Sequence, residues 1–333
     1  MNYAKEKEIV EAQVKRWKKI VLYCVVFVLL CLSIFGAFVP PETWKYYFSI
    51  PKIEARAEGD CRVHFLSVGQ GDCTIIEFPD GKTAMIDGGS ANDKTTAMVM
   101  RYLNALKIDT IENLIVTHAD ADHCGSLASI VKYKKVQKAF LPTTTPTVNE
   151  IYASFYAMLV KKEVEVLPAI RTTKLMQSES CHFSFLYPYS IEEENTSAEE
   201  NNQNSSVAWL DYQGTSVLFS GDMPMQTENI LMRDSILGLF SNMSVCLAET
   251  EILKVSHHGS REQTSDEFLE YIHAKDAVIS CGEGNDYGHP HEELLDRLHT
   301  HEIAVHRTDK DGGLVLTIKP SGEYAFTALG LEY

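Results

Sequence analysis

This 333-residue sequence predicts a layered α/β (α+β) domain behind one N-terminal transmembrane helix. Three observations predict it. An uncharged apolar run fills residues 20–39. From Arg62 onward, short β-rich runs alternate with segments of helical apolar spacing. Three of the apolar strands end in histidines and aspartates.

The run Ile20–Val39 reads IVLYCVVFVLLCLSIFGAFV. It has the length of about 20 residues that a helix needs to cross a bilayer. Lys15, Arg16, Lys18 and Lys19 precede it around Trp17. Pro40 and Pro41 stop the helix, and Trp44, Tyr46 and Tyr47 suit the interface. The positive-inside rule makes residues 1–19 a cytoplasmic basic tail, 20–39 the anchor, and all that follows extracytoplasmic. A cleaved signal peptide would want a small-residue site close behind the apolar core, and Ala55-Arg56-Ala57 lies too far on. A buried core helix would be apolar on one stripe, whereas this run is apolar all round. Residues 40–60, with Pro40, Pro41 and Pro51, read as a linker, and residues 61–333 as one domain.

Within that domain, VHFLSVG (63–69), CTIIEF (73–78) and TAMIDGG (83–89) predict strands separated by Gly and Asp turns. Helical spacing follows over 95–106, then a strand over 113–117 and a helix at about 124–133. A strand over 137–141 and a helix at about 148–161 come next. The polar stretch 192–206 predicts a long surface loop. Strands over 207–212 and 216–222, a helix over roughly 225–240, a strand over 251–256 and a helix at about 264–273 continue the alternation. A strand over 277–282, a helix over 291–299, and strands over 303–307 and 313–318 close the chain.

Residues 1–60 carry nine Lys/Arg against seven Asp/Glu, so a net charge of −18 falls on the remainder of a chain whose total is −16. Such a domain does not gather nucleic acid through its general field, and any polyanion must be held locally. Cys24 and Cys31 fall in the span. Cys61, Cys73, Cys124, Cys181, Cys246 and Cys281 are even in number and an outside location permits disulfides, but they are too widely spaced for a zinc knuckle or a stapled small domain, and buried free thiols are the expectation.

The chemistry concentrates in LIVTHADADHCGSL (114–127), where His118, Asp120, Asp122 and His123 follow an apolar strand. Residues two apart in extended backbone point the same way, so His118, Asp120 and Asp122 can converge, and a turn can return His123 to them. Imidazole with carboxylate suits zinc, manganese or iron. A helix cap at Asp122 would explain that residue alone, not two histidines beside two aspartates. LFSGD (218–222) and ILKVSHHGS (252–260) likewise end apolar strands, in Asp222 and in His257-His258. Each alone could be a turn or a polar edge. Three such strand ends can build a rigid site together.

From about 61 to 333 the chain resembles the metallo-β-lactamase superfamily, and within it the extracytoplasmic hydrolase domain of ComEC-type competence proteins. The stretches that carry the resemblance are VHFLSVGQGDCTIIEFPDGKTAMIDGG (63–89), VTHADADHCGS (116–126), Asn202 to Ser205, LFSGD, LKVSHHGS (253–260), YGHPH (287–291) and HRTDKDGG (306–313). The superfamily pattern H-x-H-x-D-H reads here His118-Ala-Asp120-Ala-Asp122-His123, with Asp in place of the second His, as in the ComEC-type group. The resemblance implies a four-layer αββα sandwich and two divalent metal ions, zinc or manganese. His118 and Asp120 would serve the first, Asp122, His123 and His258 the second, and Asp222 would bridge them. Asp87 would orient ligands and water. The superfamily's further His for the first metal has no evident match, and Asn202 and Ser205 occupy roughly that region.

Two metals about 3.5–4 Å apart can clamp the attacking and leaving oxygens of a phosphoryl displacement. Asp122 and Asp87 belong to that machinery. His289 would stabilise the transition state or protonate the leaving group, unless it is a structural residue before Pro290. His257 is expected to shape its loop, and Asp309 and Gly312 match the family's last motif without a chemical role. The expected activity is a metal-dependent phosphodiesterase, a nuclease for single-stranded DNA outside the membrane. The chain holds one span rather than a multi-span channel, so it would pair with a separate membrane channel, scavenge nucleic acid or serve in defence. Hydrolysis of a phosphocholine ester, lactone or β-lactam is the second reading, and a non-catalytic metal-binding module the third.

Overall fold

The computed structural model describes residues 2–330, apart from 39, 49, 172, 179 and 191–201. The chain divides into two compact units, Met1–Ser49 and Ile50–Tyr333. In the first unit one helix, α1 (Asn2–Phe38), runs for 37 residues. Its Lys7–Gly36 segment, with mean hydropathy reaching 2.5, is long and apolar enough to cross a membrane. After Pro40 a short 3₁₀ turn, Pro41–Tyr46, places the Trp44 ring 5.6 Å from that of Phe35.

Among the described residues, the second unit holds fifteen strands in two sheets. In chain order they are β1 (Cys61–Phe65), β2 (Thr74–Glu77), β3 (Thr83–Ile86), β4 (Thr110–Ile115), β5 (Lys135–Leu141), β6 (Glu165–Pro168), β7 (Lys174–Gln177) and β8 (Cys181–Tyr187), followed by β9 (Val207–Tyr212), β10 (Thr215–Phe219), β11 (Ile252–Lys254), β12 (Asp276–Ile279), β13 (Ala304–Arg307), β14 (Leu314–Ile318) and β15 (Tyr324–Ala328). The first sheet runs β15-β14-β1-β2-β3-β4-β5-β6, and the second β13-β12-β11-β10-β9-β8-β7. Strands β3 to β6 are parallel, as are β10 to β13.

Alternation explains how the layers close. Cys61, Val63 and Phe65 of β1 enter the core between the sheets, where Phe65 meets Phe219 at 6.3 Å and Phe140 meets Phe185 at 5.8 Å. Arg62 and His64 point the other way and are also buried, so each needs a partner. His64 finds the Tyr102 hydroxyl at 2.9 Å and the Glu77 carboxylate at 2.8 Å, and Arg62 also binds Glu77. Tyr102 lies on α2 (Asp93–Ala105), which with the helices Leu127–Tyr133 and Glu150–Lys161 covers the first sheet. The second sheet packs Leu218, Leu253 and Ile279 against Leu231, Phe268 and Leu294 of three further helices. Those helices are Met225–Ile236, Asp266–Ile272 and Glu292–Thr300. This is the αββα sandwich that the resemblance implies.

Several sequence expectations need correction. The strand expected over 63–69 stops at Phe65, and the helix expected at 124–133 is two pieces, Ala121–Cys124 and Leu127–Tyr133. The break falls at Gly125, where the Ser90–Ala91 backbone passes so closely that a Cβ would lie 2.1 Å from Ala91 N. Residues 165–187, which had no assignment, carry β6, β7 and β8. The chain does not close with 313–318, because β15 extends the first sheet beyond β14. Within the polar stretch 192–206, residues up to 201 lie outside the described ones, and Asn202–Asn204 form a 3₁₀ turn. All eight cysteines are free thiols. Five of the six beyond the span are buried as expected, but Cys246 is exposed.

Candidate metal centre

Strand ends build the site. His118 follows β4, Asp87 follows β3, Asp222 follows β10 and His258 follows β11, each leaving the C-terminal end of a parallel strand. Asp120 precedes the one-turn helix Ala121–Cys124, which carries Asp122 and His123. All six residues expected as ligands converge. His118 Nε2 lies 3.6 Å from Asp120 and 3.7 Å from Asp222. His123 Nε2 lies 3.3 Å from Asp222 Oδ1 and 3.3 Å from His258 Nε2. His258 Nε2 in turn is 3.2 Å from Asp122 and 3.8 Å from Asp222 Oδ2. The imidazoles and Asp222 are buried, while the side chains of Asp120 and Asp122 are each 35% exposed and open the cluster to solvent.

Neighbouring groups aim these ligands. Asp87 accepts from the Thr117 amide at 2.8 Å and the Thr117 hydroxyl at 2.6 Å, and binds His123 Nδ1 at 2.8 Å. That bond takes the Nδ1 proton and leaves Nε2 for the cluster. His118 Nδ1 contacts the same Thr117 hydroxyl at 3.0 Å. His258 donates from Nδ1 to the Ser280 carbonyl at 2.9 Å, with Asp72 at 3.4 Å beside it. The Ser205 hydroxyl accepts from the Asp222 amide at 3.0 Å, which gives the Asn202–Ser205 segment a positioning contact. Gly221 makes that turn possible. Its φ is +51°, and a Cβ there would come within 2.3 Å of Ser205 Oγ.

Two residues here escaped sequence reasoning. Asp72 leaves the first sheet between β1 and β2, and its carboxylate forms a buried ion pair with Lys254 of the second sheet. Asp72, His123 and His258 lie close enough together to share an ion, as do His118, His123 and Asp222. The available signal was Lys254 itself, a charge inside the apolar run ILKVS, since a buried lysine needs a counter-charge. Asp72 showed only as a polar residue in a glycine turn.

The electrostatics follow from burial and crowding. Burial opposes the charged form of Asp222, but His123, His258 and His118 outweigh it and hold the carboxyl well below its usual range. Asp122 is likewise lowered to about 2 against burial, mainly through His258 and His123. Burial would lower His258, yet Asp222, Asp122 and Asp72 raise it to about 9. His123 is raised for similar reasons, by Asp222 and Asp87. His118 goes down through burial and its neighbour His123. His289, after β12, is brought to about 4 by burial, with His257, His258 and His291 adding to it.

His289 borders the cluster. Its ring centre is 6.3 Å from that of His258 and 5.6 Å from that of His257. The Gln70 amide nitrogen lies 3.3 Å from His289 Nδ1, while Gln70 Oε1 accepts from Gly282 N at 3.2 Å. Gln70 also lines a neighbouring cleft of about 510 Å³, together with Ser67, Asn92, Lys94 and Asn285. His257, expected only to shape its loop, has Nε2 3.8 Å from Asp222 and a φ of 49°. Asp309 is not at the cluster. It binds Arg307 and lines the cleft, and Gly312 bridges to Gly330.

The donor set fits divalent cations. His118 Nε2 is buried without a hydrogen-bond partner, and two further imidazole nitrogens face each other at 3.3 Å among carboxylates. Residues 66–182 match the model of the Metallo-beta-lactamase superfamily. The matched segment carries His118, Asp120, Asp122 and His123, and the fold around it is the two-sheet αββα sandwich. The chain is similar to ComE operon protein 3 of Bacillus subtilis (strain 168), with 28% identity over 271 residues, 77% of this chain and 32% of that protein. It is also similar to competence protein ComA of Neisseria gonorrhoeae, with 27% identity over 263 residues, 78% of this chain and 33% of that protein. The chain thus spans about a third of the length of these curated relatives. Among solved structures, the metallo-beta-lactamase fold protein YhfI from Bacillus subtilis matches at a TM-score of 0.48 and 10% identity, over 80% of this chain and 100% of that one.

Proposed function

We propose that the chain is a metal-dependent phosphodiesterase that cuts single-stranded DNA on the outer side of the cell membrane. Helix α1 would anchor it, with residues 1–19 in the cytoplasm. The observation that carries the reading is the buried cluster itself, six imidazole and carboxylate side chains aimed at one space beside the partnerless His118 Nε2. Similarity to competence proteins points the substrate toward DNA, and a separate membrane channel is the natural partner.

Two divalent cations, zinc or manganese, would supply positive charge for a phosphoryl group and lower the pKa of water. His118 and Asp120 would hold one, Asp122, His123 and His258 the other, and Asp222 both. Asp87 keeps His123 in the tautomer that can ligate, and Asp72 with Lys254 steadies His258. His289 is neutral at physiological pH, so it is not a proton source there. With Gln70 donating to Nδ1, its proton resides on Nε2, where it can donate a hydrogen bond to developing phosphate charge.

The test follows labelled single- and double-stranded DNA with manganese, with zinc and with chelator, beside Asp222→Asn. Metal-dependent cutting that is lost in the variant is expected. Bound metal without cutting would move the substrate to a smaller phosphoester or a wall-linked polymer.

A further inference from the structure

The loop after β12 raises an aromatic ring beside the cluster, and its backbone is built to hold that ring still. The Asn285 side chain donates to the Gly282 carbonyl at 2.9 Å and the His289 carbonyl at 2.6 Å. It accepts from the amides of Tyr287 at 3.2 Å and His289 at 3.0 Å. One side chain thus fixes four backbone groups of the loop. Between those anchor points Tyr287 stands 67% exposed.

Single exposed aromatics are ordinary on protein surfaces and need no function. This one has a direction. Its ring lies against His289 with centroids 5.7 Å apart and planes inclined by 26°. His289 in turn neighbours His258, with centroids 6.3 Å apart and planes tilted by 30°. Three rings in successive contact therefore lead from solvent to the buried cluster, and the outermost, Tyr287, is largely exposed. The domain's excess of acidic residues gives no general attraction for a polyanion, so affinity must come from contacts of another kind.

We propose that Tyr287 is a stacking platform for an unpaired base flanking the phosphodiester held at the cluster. The inference rests on the phosphodiesterase reading and adds what selects the substrate. A base within a duplex already has neighbours on both faces and cannot reach the ring. A base on a single strand can, whatever its identity, because every base has a π-face. Single-strand preference then resides in one exposed side chain, not in a basic groove.

The experiment uses the 333-residue chain with manganese and three oligomers: single-stranded deoxythymidylate, a blunt-ended duplex without a loop, and a single strand of abasic sugar-phosphate units. For the wild type, KM for the base-bearing single strand is expected to be lower than for the abasic strand by about tenfold or more. In Tyr287→Ala that preference collapses toward unity, and in Tyr287→Trp it returns. An unchanged preference in Tyr287→Ala overturns the platform. So does an equal fall in kcat on base-bearing and abasic strands, which would mean that the ring only supports the loop. A wild type that binds manganese but cuts none of the three overturns the phosphodiesterase reading itself, whereas cutting without preference for bases removes the platform alone.

Discussion

His123 Nδ1 stands 2.8 Å from Asp87 Oδ2, and this bond decides what the other nitrogen of the ring can do. Asp87 has a φ of 58°, a left-handed conformation that asparagine tolerates. Asp87→Asn therefore keeps the backbone but turns an NH₂ toward Nδ1. The ring proton then moves to Nε2 and closes that atom to a cation. The variant is expected to retain its circular dichroism spectrum and to bind divalent metal about 10- to 100-fold more weakly. Competition against a fluorescent chelator measures this, and wild-type affinity would contradict the arrangement.

Metal uptake should release protons. His258 is raised to about 9 and His123 is also raised, so both carry protons at neutral pH, while a ligating imidazole must be neutral. Affinity should therefore weaken as pH falls from about 8 to about 6. Titration calorimetry in buffers of different ionisation enthalpy should show net proton release. Enthalpies independent of buffer would show that the histidines are already neutral.

Glu77 makes an acid-sensitive contribution to stability. Burial opposes its charge, but the His64 hydrogen bond and Arg62 outweigh it and lower its folded pKa. A depressed carboxylate stabilises above its unfolded pKa, and that stability is lost as pH falls through the folded value. Glu77→Gln is expected to cost about 2–4 kcal/mol at neutral pH, because Arg62 is left buried without its counter-charge. It should also flatten the acid limb of the stability profile. Denaturant titrations of the full-length chain across the acid range measure both effects.

Gly221 should not accept a side chain. At φ +51° a Cβ meets Ser205 Oγ at 2.3 Å and Thr117 Cβ at 3.1 Å. Gly221→Ala is expected to destabilise by about 1–3 kcal/mol and to displace Asp222, lowering bound metal. Thermal unfolding and metal content of the purified protein report the two separately. Wild-type values for both would show that the turn can relax.

Legibility in the sequence followed how the ligands are grouped. His118, Asp120, Asp122 and His123 share one short segment, so local pattern alone exposed them. Asp222 and His258 emerged because each ends an apolar strand. Asp72 did not, since its role depends on a lysine 182 positions away. The strands β6 and β15 were missed because they lie at the edges of the first sheet and are largely unburied, which removes the apolar alternation that marks a strand. The helix break at Gly125 comes from a second segment passing close by, and the glycine that lets it approach is the one local sign of it within 124–133.

The ion pair of Asp72 and Lys254 joins the two sheets. So does the cluster it supports: His118, Asp120, Asp122 and His123 belong to the first half of the chain, Asp222 and His258 to the second. Neither half holds all six of these donors. A nascent chain that stops short of β11 would carry four donors and a stranded aspartate. Metal capture would then report finished folding, and a truncated or misassembled molecule would stay chemically silent.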